Sequence, residues 1–143
     1  MFKQISWMQK CAWVYAAGFL GIFIICHWPG LTNSQGYLLG LYRIDPVDDI
    51  FHLLSGLWGA VAAYASTRQS SIYFKIIGIP YGIDALVGLL WSTQFLNGDV
   101  FTKPLGHANF GMTNFLNNLP HIIILVVALF IGFVINKKLE TSN

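Results

Sequence analysis

Four long stretches of this chain carry almost no charge, and this limits the fold more than any other feature. They cover about residues 11–28, 47–66, 72–95 and 116–135. A bilayer core of about 30 Å takes about 20 mainly apolar residues as a helix, and each stretch is close to that length. Backbone polar groups in lipid need partners inside the protein, which leaves helices or a closed barrel. The two-residue alternation of barrel strands is absent. The chain is therefore expected to be all-α, a single integral-membrane domain folded as a four-transmembrane-helix bundle. Composition agrees: 10% of the 143 residues are charged, against about 25% in soluble domains. That excludes a water-soluble monomer and a disordered chain. The net charge of +2 is too small and too scattered for a nucleic-acid binder.

Lys3 and Lys10 precede the first stretch as they would in a signal peptide. No small-x-small cleavage site follows, however, and Pro29-Gly30 comes only after a full-length span, so a retained helix is expected. Basic residues give the direction. Lys3, Lys10, Arg68, Lys75, Lys137 and Lys138 fall on one side of the spans, and Arg43 and Lys103 on the other. Both termini and a short turn at 67–71 are then cytoplasmic, and the connections 29–46 and 96–115 face outward, as in a multi-pass protein of the bacterial inner membrane. Cys11 and Cys26 form no CxxC. On one helix they stand roughly 22 Å apart, too far for a disulfide.

The segments Asp45–His52 and Asn114–His121 align, with Asp45, Asp48, Asp49 and His52 over Asn114, Asn117, Asn118 and His121. Both enter a span from the outside, which suggests two similar helical hairpins forming a parallel repeat. Asp45 before Pro46 reads as an N-cap followed by N1, and Asp48 as the N3 partner of a capping box. Asn114 is expected to cap the fourth helix in the same way.

His52 follows Asp49 by three residues and Asp48 by four, so both carboxylates share its helical face. All four histidines, His27, His52, His107 and His121, fall toward the outer side, together with Asp45, Asp48, Asp49 and Asp99. Imidazole and carboxylate gathered in one place suit a divalent metal ion, with His52, His121, Asp48, Asp49 and Asn118 as candidate ligands. Outer loops almost free of methionine argue against Cu(I). Bis-histidine haem is a narrower alternative, with His52 and His121 as axial ligands and Ser55, Gly56, Gly59, Ala60 and Ala63 leaving room for the macrocycle. The bland alternative is that these histidines fix helix packing.

Asp84 lies near the middle of the third stretch with Tyr81 on its face. With no basic residue at matching depth in any span, a neutral, hydrogen-bonded carboxyl is expected. Tyr81 and Asp84 could then form a proton relay below His52. Pro80 and Gly82 should loosen the helix here. No serine or cysteine has the spacing of a covalent catalyst, and a zinc-dependent intramembrane hydrolase is the only enzyme class left in view. Small residues on the second and third helices, including Gly78, Gly82 and Ala85, could dock a larger membrane complex or a second copy.

The runs FLGIFIICHWPG and LLGLYRIDPVDDIFHLLSGLWGAVAAY resemble a family of small four-helix bacterial inner-membrane proteins catalogued as a domain of unknown function. The shared features are Pro29-Gly30, Gly36 and Gly40, and a polar-x-x-His-Leu-x-x-Gly stretch formed by Asp49, His52, Leu53 and Gly56. Asn118 and His121 match in the fourth helix, whereas Pro120 and Ile122 depart from the pattern. The resemblance covers about residues 12–135. It implies a membrane and a fold, and no activity.

The topology is testable with single cysteines in a cysteine-free background. Leu105→Cys should react with an impermeant maleimide added to intact cells, and Arg68→Cys only after permeabilisation. The reverse pattern would invert the orientation.

Overall fold

The computed structural model describes residues 5–40 and 42–135. Lys3, Lys137 and Lys138, used above for orientation, lie outside the described residues.

Four long helices dominate. Helix α1 (Trp7–Cys26) starts four residues earlier than expected. Ser6 and Gln9 form a reciprocal capping box, with Ser6 Oγ accepting from Gln9 N–H and Gln9 Oε1 accepting from Ser6 N–H. Such a box satisfies two of the amide donors that a helix start leaves free. Helix α2 (Pro46–Ala65) is capped by Asp45, whose Oδ1 accepts from Val47 and Asp48 N–H, with Pro46 at N1. Helix α3 (Thr67–Trp91) follows after a single residue.

The turn expected at 67–71 is thus helical. Extended Ser66 ends α2 and caps α3, its Oγ accepting from Gln69 N–H. The serines that made this stretch look like a loop are absorbed by backbone: Ser70 Oγ donates toward the carbonyls of Ala62 and Ser66. At its other end α3 stops at Trp91, four residues short of Phe95, with Ser92 in the left-handed region. Pro80 lies within it without ending it.

The two long connections, between α1 and α2 and after α3, carry minor elements. Strands β1 (Tyr37–Leu38) and β2 (Tyr42–Arg43) pair antiparallel in the first. A single turn, α4 (Asp99–Thr102), lies in the second and holds the Asp99–Lys103 ion pair. Helix α5 (Met112–Leu129) continues as a π-helical segment, Phe130–Ile135.

Asn114 does not cap α5. The helix begins behind Gly111, whose N-cap position has no side-chain bond, and Asn114 instead donates to the carbonyls of Gly88 and Asn109. It ties the start of α5 to the end of α3.

Helices α1 and α2 run antiparallel. Gln9 Nε2 reaches the Ala63 carbonyl at one end, and His27 approaches Asp49 at the other. Helices α3 and α5 pair likewise, by Asn114 on Gly88 at one end and Gly132 against Lys75 at the other. Close approach requires glycine at several of these contacts. A Cβ on Gly78 would meet Ala128 Cβ and the Leu125 carbonyl oxygen, each at 3.2 Å, and Gly82 lies under the Leu125 side chain. Gly56 lies against Leu20, and Gly59 against Tyr73 and Ala16. The small-residue faces expected to dock a larger complex, including buried Ala85, are therefore used inside the chain.

The apolar core, built on Met8, Phe19, Tyr73, Phe74 and Tyr81, shares the interior with several polar groups, while apolar side chains cover much of the surface. Asp49, His52, Ser55, Ser70, Asp84 and Asn118 are buried, while Val14, Val61, Val126 and Phe133 stand out of the surface. Among the described residues, α1, α3 and α5 with its π extension are long and apolar enough to cross a membrane. Helix α2 has 20 residues and carries the acidic pair Asp48 and Asp49 in its first turn.

Overpacking a close helix contact costs about 1–3 kcal/mol. Gly78→Val should therefore lower the unfolding midpoint of the detergent-solubilised protein. Ile79→Val, at a half-exposed outward position, should leave it nearly unchanged.

Candidate functional site

The site lies at the bundle end formed by the C-termini of α1 and α3 and the N-termini of α2 and α5. Its anchor is Asp84, with only 2% of its surface exposed. Beyond Ser92 the chain turns back along α3, and the N–H groups of Phe95 and Leu96 both donate to Asp84 Oδ1, at 2.7 and 2.8 Å. The other oxygen, Oδ2, lies 2.8 Å from His121 Nδ1. A basic partner at matching depth therefore exists, contrary to the sequence expectation. With two amide donors on one oxygen, the consistent assignment is a carboxylate that accepts from His121 Nδ1–H. That leaves His121 Nε2 with its lone pair free.

His121 brings α5 to α2. Its ring centroid lies 6.1 Å from that of His52 and 5.3 Å from that of Tyr81. Tyr81 also packs 5.8 Å from His52 and stacks on Phe19 of α1 at 5.2 Å. Four aromatic rings from four helices thus form the floor of the site. The Tyr81 hydroxyl is hydrogen-bonded to Ser55 Oγ at 2.9 Å. Asp84 is thus bonded directly to His121, and the Tyr81 hydroxyl to Ser55.

Asp48 completes the group. Its carboxylate does not return to the Asp45 N–H as a capping box would require; it faces His52, one turn further along α2, and His121 of α5. One ligand atom each from Asp48, His52 and His121 can be chosen so that all three lie within 4.8 Å of one another. Asp48 Oδ1 and His52 Nδ1 are buried and have no hydrogen-bond partner. Leaving such groups unpaired is costly. Asp48 Oδ1 and His52 Nδ1 thus stand orphaned in a group that also holds His121.

This set fits a divalent cation. Zinc sits about 2.0–2.2 Å from nitrogen and oxygen ligands, which places neighbouring ligand atoms roughly 3.3 Å apart, so binding asks for a closure of at most roughly 1.5 Å. The Asp84–His121 bond supplies the outer carboxylate that orients a ligating imidazole and raises its basicity. Haem does not fit. Tyr81 and Phe19 occupy the space beside the two imidazoles, and the small residues meant to make room are packed on α1 and α3.

Two expected ligands lie elsewhere. Asp49, the next residue after Asp48, points to the end of α1, with Oδ2 4.0 Å from His27 Nε2. Neighbours on a helix differ by about 100° in direction, so the two carboxylates cannot serve one ion. Asn118 lies against Gly88, its Nδ2 donating to the Asn114 carbonyl. His107 is exposed, and its carbonyl accepts from Ser92 Oγ.

A polar cavity of about 400 Å³ opens on the far side of the pair, lined by His121, Asp84, Asn117, Asn118, Arg43 and Lys103 among others. The amides of Phe95 and Leu96 carry no side-chain signal and could not have been found by motif. The Ser55–Tyr81 bond also needed the helices placed. No protein-family model matches the chain, and no curated protein or solved structure does so either.

Breaking a buried hydrogen-bonded charge pair costs about 3–5 kcal/mol. Asp84→Leu removes the acceptor for two amides and one imidazole and should destabilise the protein by about that amount. Chemical denaturation in detergent micelles measures it, and a loss below about 1 kcal/mol would contradict the anchoring role.

Proposed function

We propose that this is an integral membrane protein of the bacterial inner membrane that binds a divalent metal ion near its outer face. Asp48, His52 and His121 would be the ligands. The observation that carries the reading is the pair of buried, unpartnered atoms, Asp48 Oδ1 and His52 Nδ1, grouped with His121. Asp84 is a positioning residue: it holds His121 in the tautomer that turns Nε2 toward the ion. The polar cavity beside His121 and Asp84 would give access from the outer side.

In this reading α2 is a fourth span, with its acidic first turn at the outer surface. Antiparallel pairing of α1 with α2 and of α3 with α5 supports two hairpins of similar build. The equivalence of His52 and His121 at the outer ends of α2 and α5 accords with a parallel repeat. The resemblance to the four-helix membrane family agrees with this topology. Three protein ligands leave a fourth position on zinc open, the arrangement of sites that exchange a ligand or polarise a bound molecule.

Equilibrium dialysis of purified protein against zinc tests the proposal. The His52→Ala/His121→Ala variant should bind one equivalent fewer than wild type. Asp84→Asn keeps the shape but offers His121 an N–H in place of an acceptor, and should weaken binding about 10–100-fold. Unchanged zinc binding by the double variant would refute the assignment.

A further inference from the structure

The end of α1 holds another set of donors that the first site does not use. His27 Nδ1 lies 2.8 Å from the Phe23 carbonyl oxygen, one turn back on its own helix. A carbonyl can only accept, so Nδ1 carries the proton and Nε2 keeps its lone pair in the neutral ring. That lone pair faces Asp49 Oδ2 at 4.0 Å, beyond hydrogen-bond range. The Asp49 side chain is only 6% exposed, and Oδ2 has no hydrogen-bond partner.

Both residues border a cavity of about 420 Å³ between the end of α1, the first outer connection and the start of α2. The half-buried thiol of Cys26 borders the same cavity. Thr32 closes over it, its Oγ1 donating to the Cys26 carbonyl.

We propose that His27 Nε2, Asp49 Oδ2 and Cys26 Sγ form a second divalent-cation site, independent of the Asp48–His52–His121 group. The geometry suits one ion between the first two atoms. With metal–nitrogen and metal–oxygen bonds of about 2.0–2.2 Å, they would stand roughly 3.3 Å apart at a tetrahedral angle and roughly 4.2 Å apart in line. The observed 4.0 Å exceeds the tetrahedral spacing by roughly 0.7 Å, the closure that binding asks of the pair. Cys26, which borders the cavity but does not yet lie within 4.8 Å of both other atoms, is the third donor and moves in on binding, as thiolate with its proton released to solvent. A site with imidazole, carboxylate and thiolate prefers a borderline or soft ion such as Zn²⁺ or Co²⁺ to Mg²⁺ or Ca²⁺. Asp48 and Asp49, adjacent on α2, then serve different ions on two faces of one helix.

The test is a Co²⁺ titration of the full-length protein in detergent, followed by visible and near-ultraviolet absorption. Wild type should take two equivalents, with d–d bands and a thiolate-to-cobalt charge-transfer band. Cys26→Ser should lose the charge-transfer band and weaken one equivalent at least tenfold. His27→Gln changes a half-exposed side chain that the fold can spare, and it should reduce the stoichiometry to one. Asp49→Asn should do the same, and His27→Gln stands for it if that variant does not fold.

The His52→Ala/His121→Ala variant separates the two sites. If it retains one equivalent with the charge-transfer band, the second site stands whatever becomes of the first. A wild type that binds a single equivalent unaffected by His27→Gln overturns this proposal and leaves the first intact. So does an absorption spectrum unchanged by Cys26→Ser.

Discussion

One end of this bundle, where α1 and α3 finish and α2 and α5 begin, depends on one buried carboxylate. Asp84 takes two backbone amides from the segment after α3 and one imidazole from α5. It thereby ends α3 at Trp91, folds the following chain back on it, and fixes the rotation of α5. Van der Waals packing sets how closely the helices approach, but Asp84 determines which face of α5 meets α2. His121 reaches His52 and Asp48 as a result.

The helices were largely legible in the sequence, because lipid demands long apolar runs and such runs are hard to hide. Their boundaries were less so, for identifiable reasons. Trp7–Lys10 carries polar residues but is helical because Ser6 and Gln9 form a capping box, a motif present in the sequence and overlooked. Thr67–Ser71 looked like a turn because it is polar, yet Ser66 and Ser70 bond to helix backbone. Residues 92–95 looked like helix because they follow an apolar run. They leave it because Asp84 offers Phe95 and Leu96 an acceptor.

For the site, residue type and spacing correctly drew attention to α2 and α5 but could not resolve rotation. Asp48 and Asp49 both share a broad helical face with His52, and only the packed structure assigns one to His121 and the other to His27. Asn118 matched by position in the repeat, and it packs against Gly88 while lining the cavity beside His121. Asp84 appeared isolated because its partner lies 37 residues away, on a helix whose register no local pattern reveals. The small residues of α2 and α3 could serve packing within the chain or docking outside it, and the contacts at Gly56, Gly59, Gly78 and Gly82 resolve that in favour of packing.

The central claim is that Asp48, His52 and His121 hold a metal ion, with Asp84 orienting one ligand. X-ray absorption at the zinc edge, measured on His27→Gln protein loaded with one equivalent, tests it most directly. The account predicts a first shell of nitrogen and oxygen alone at about 2.0–2.1 Å, with the multiple-scattering pattern of two imidazoles. A shell containing sulfur, a single imidazole, or the spectrum of hydrated zinc would contradict it.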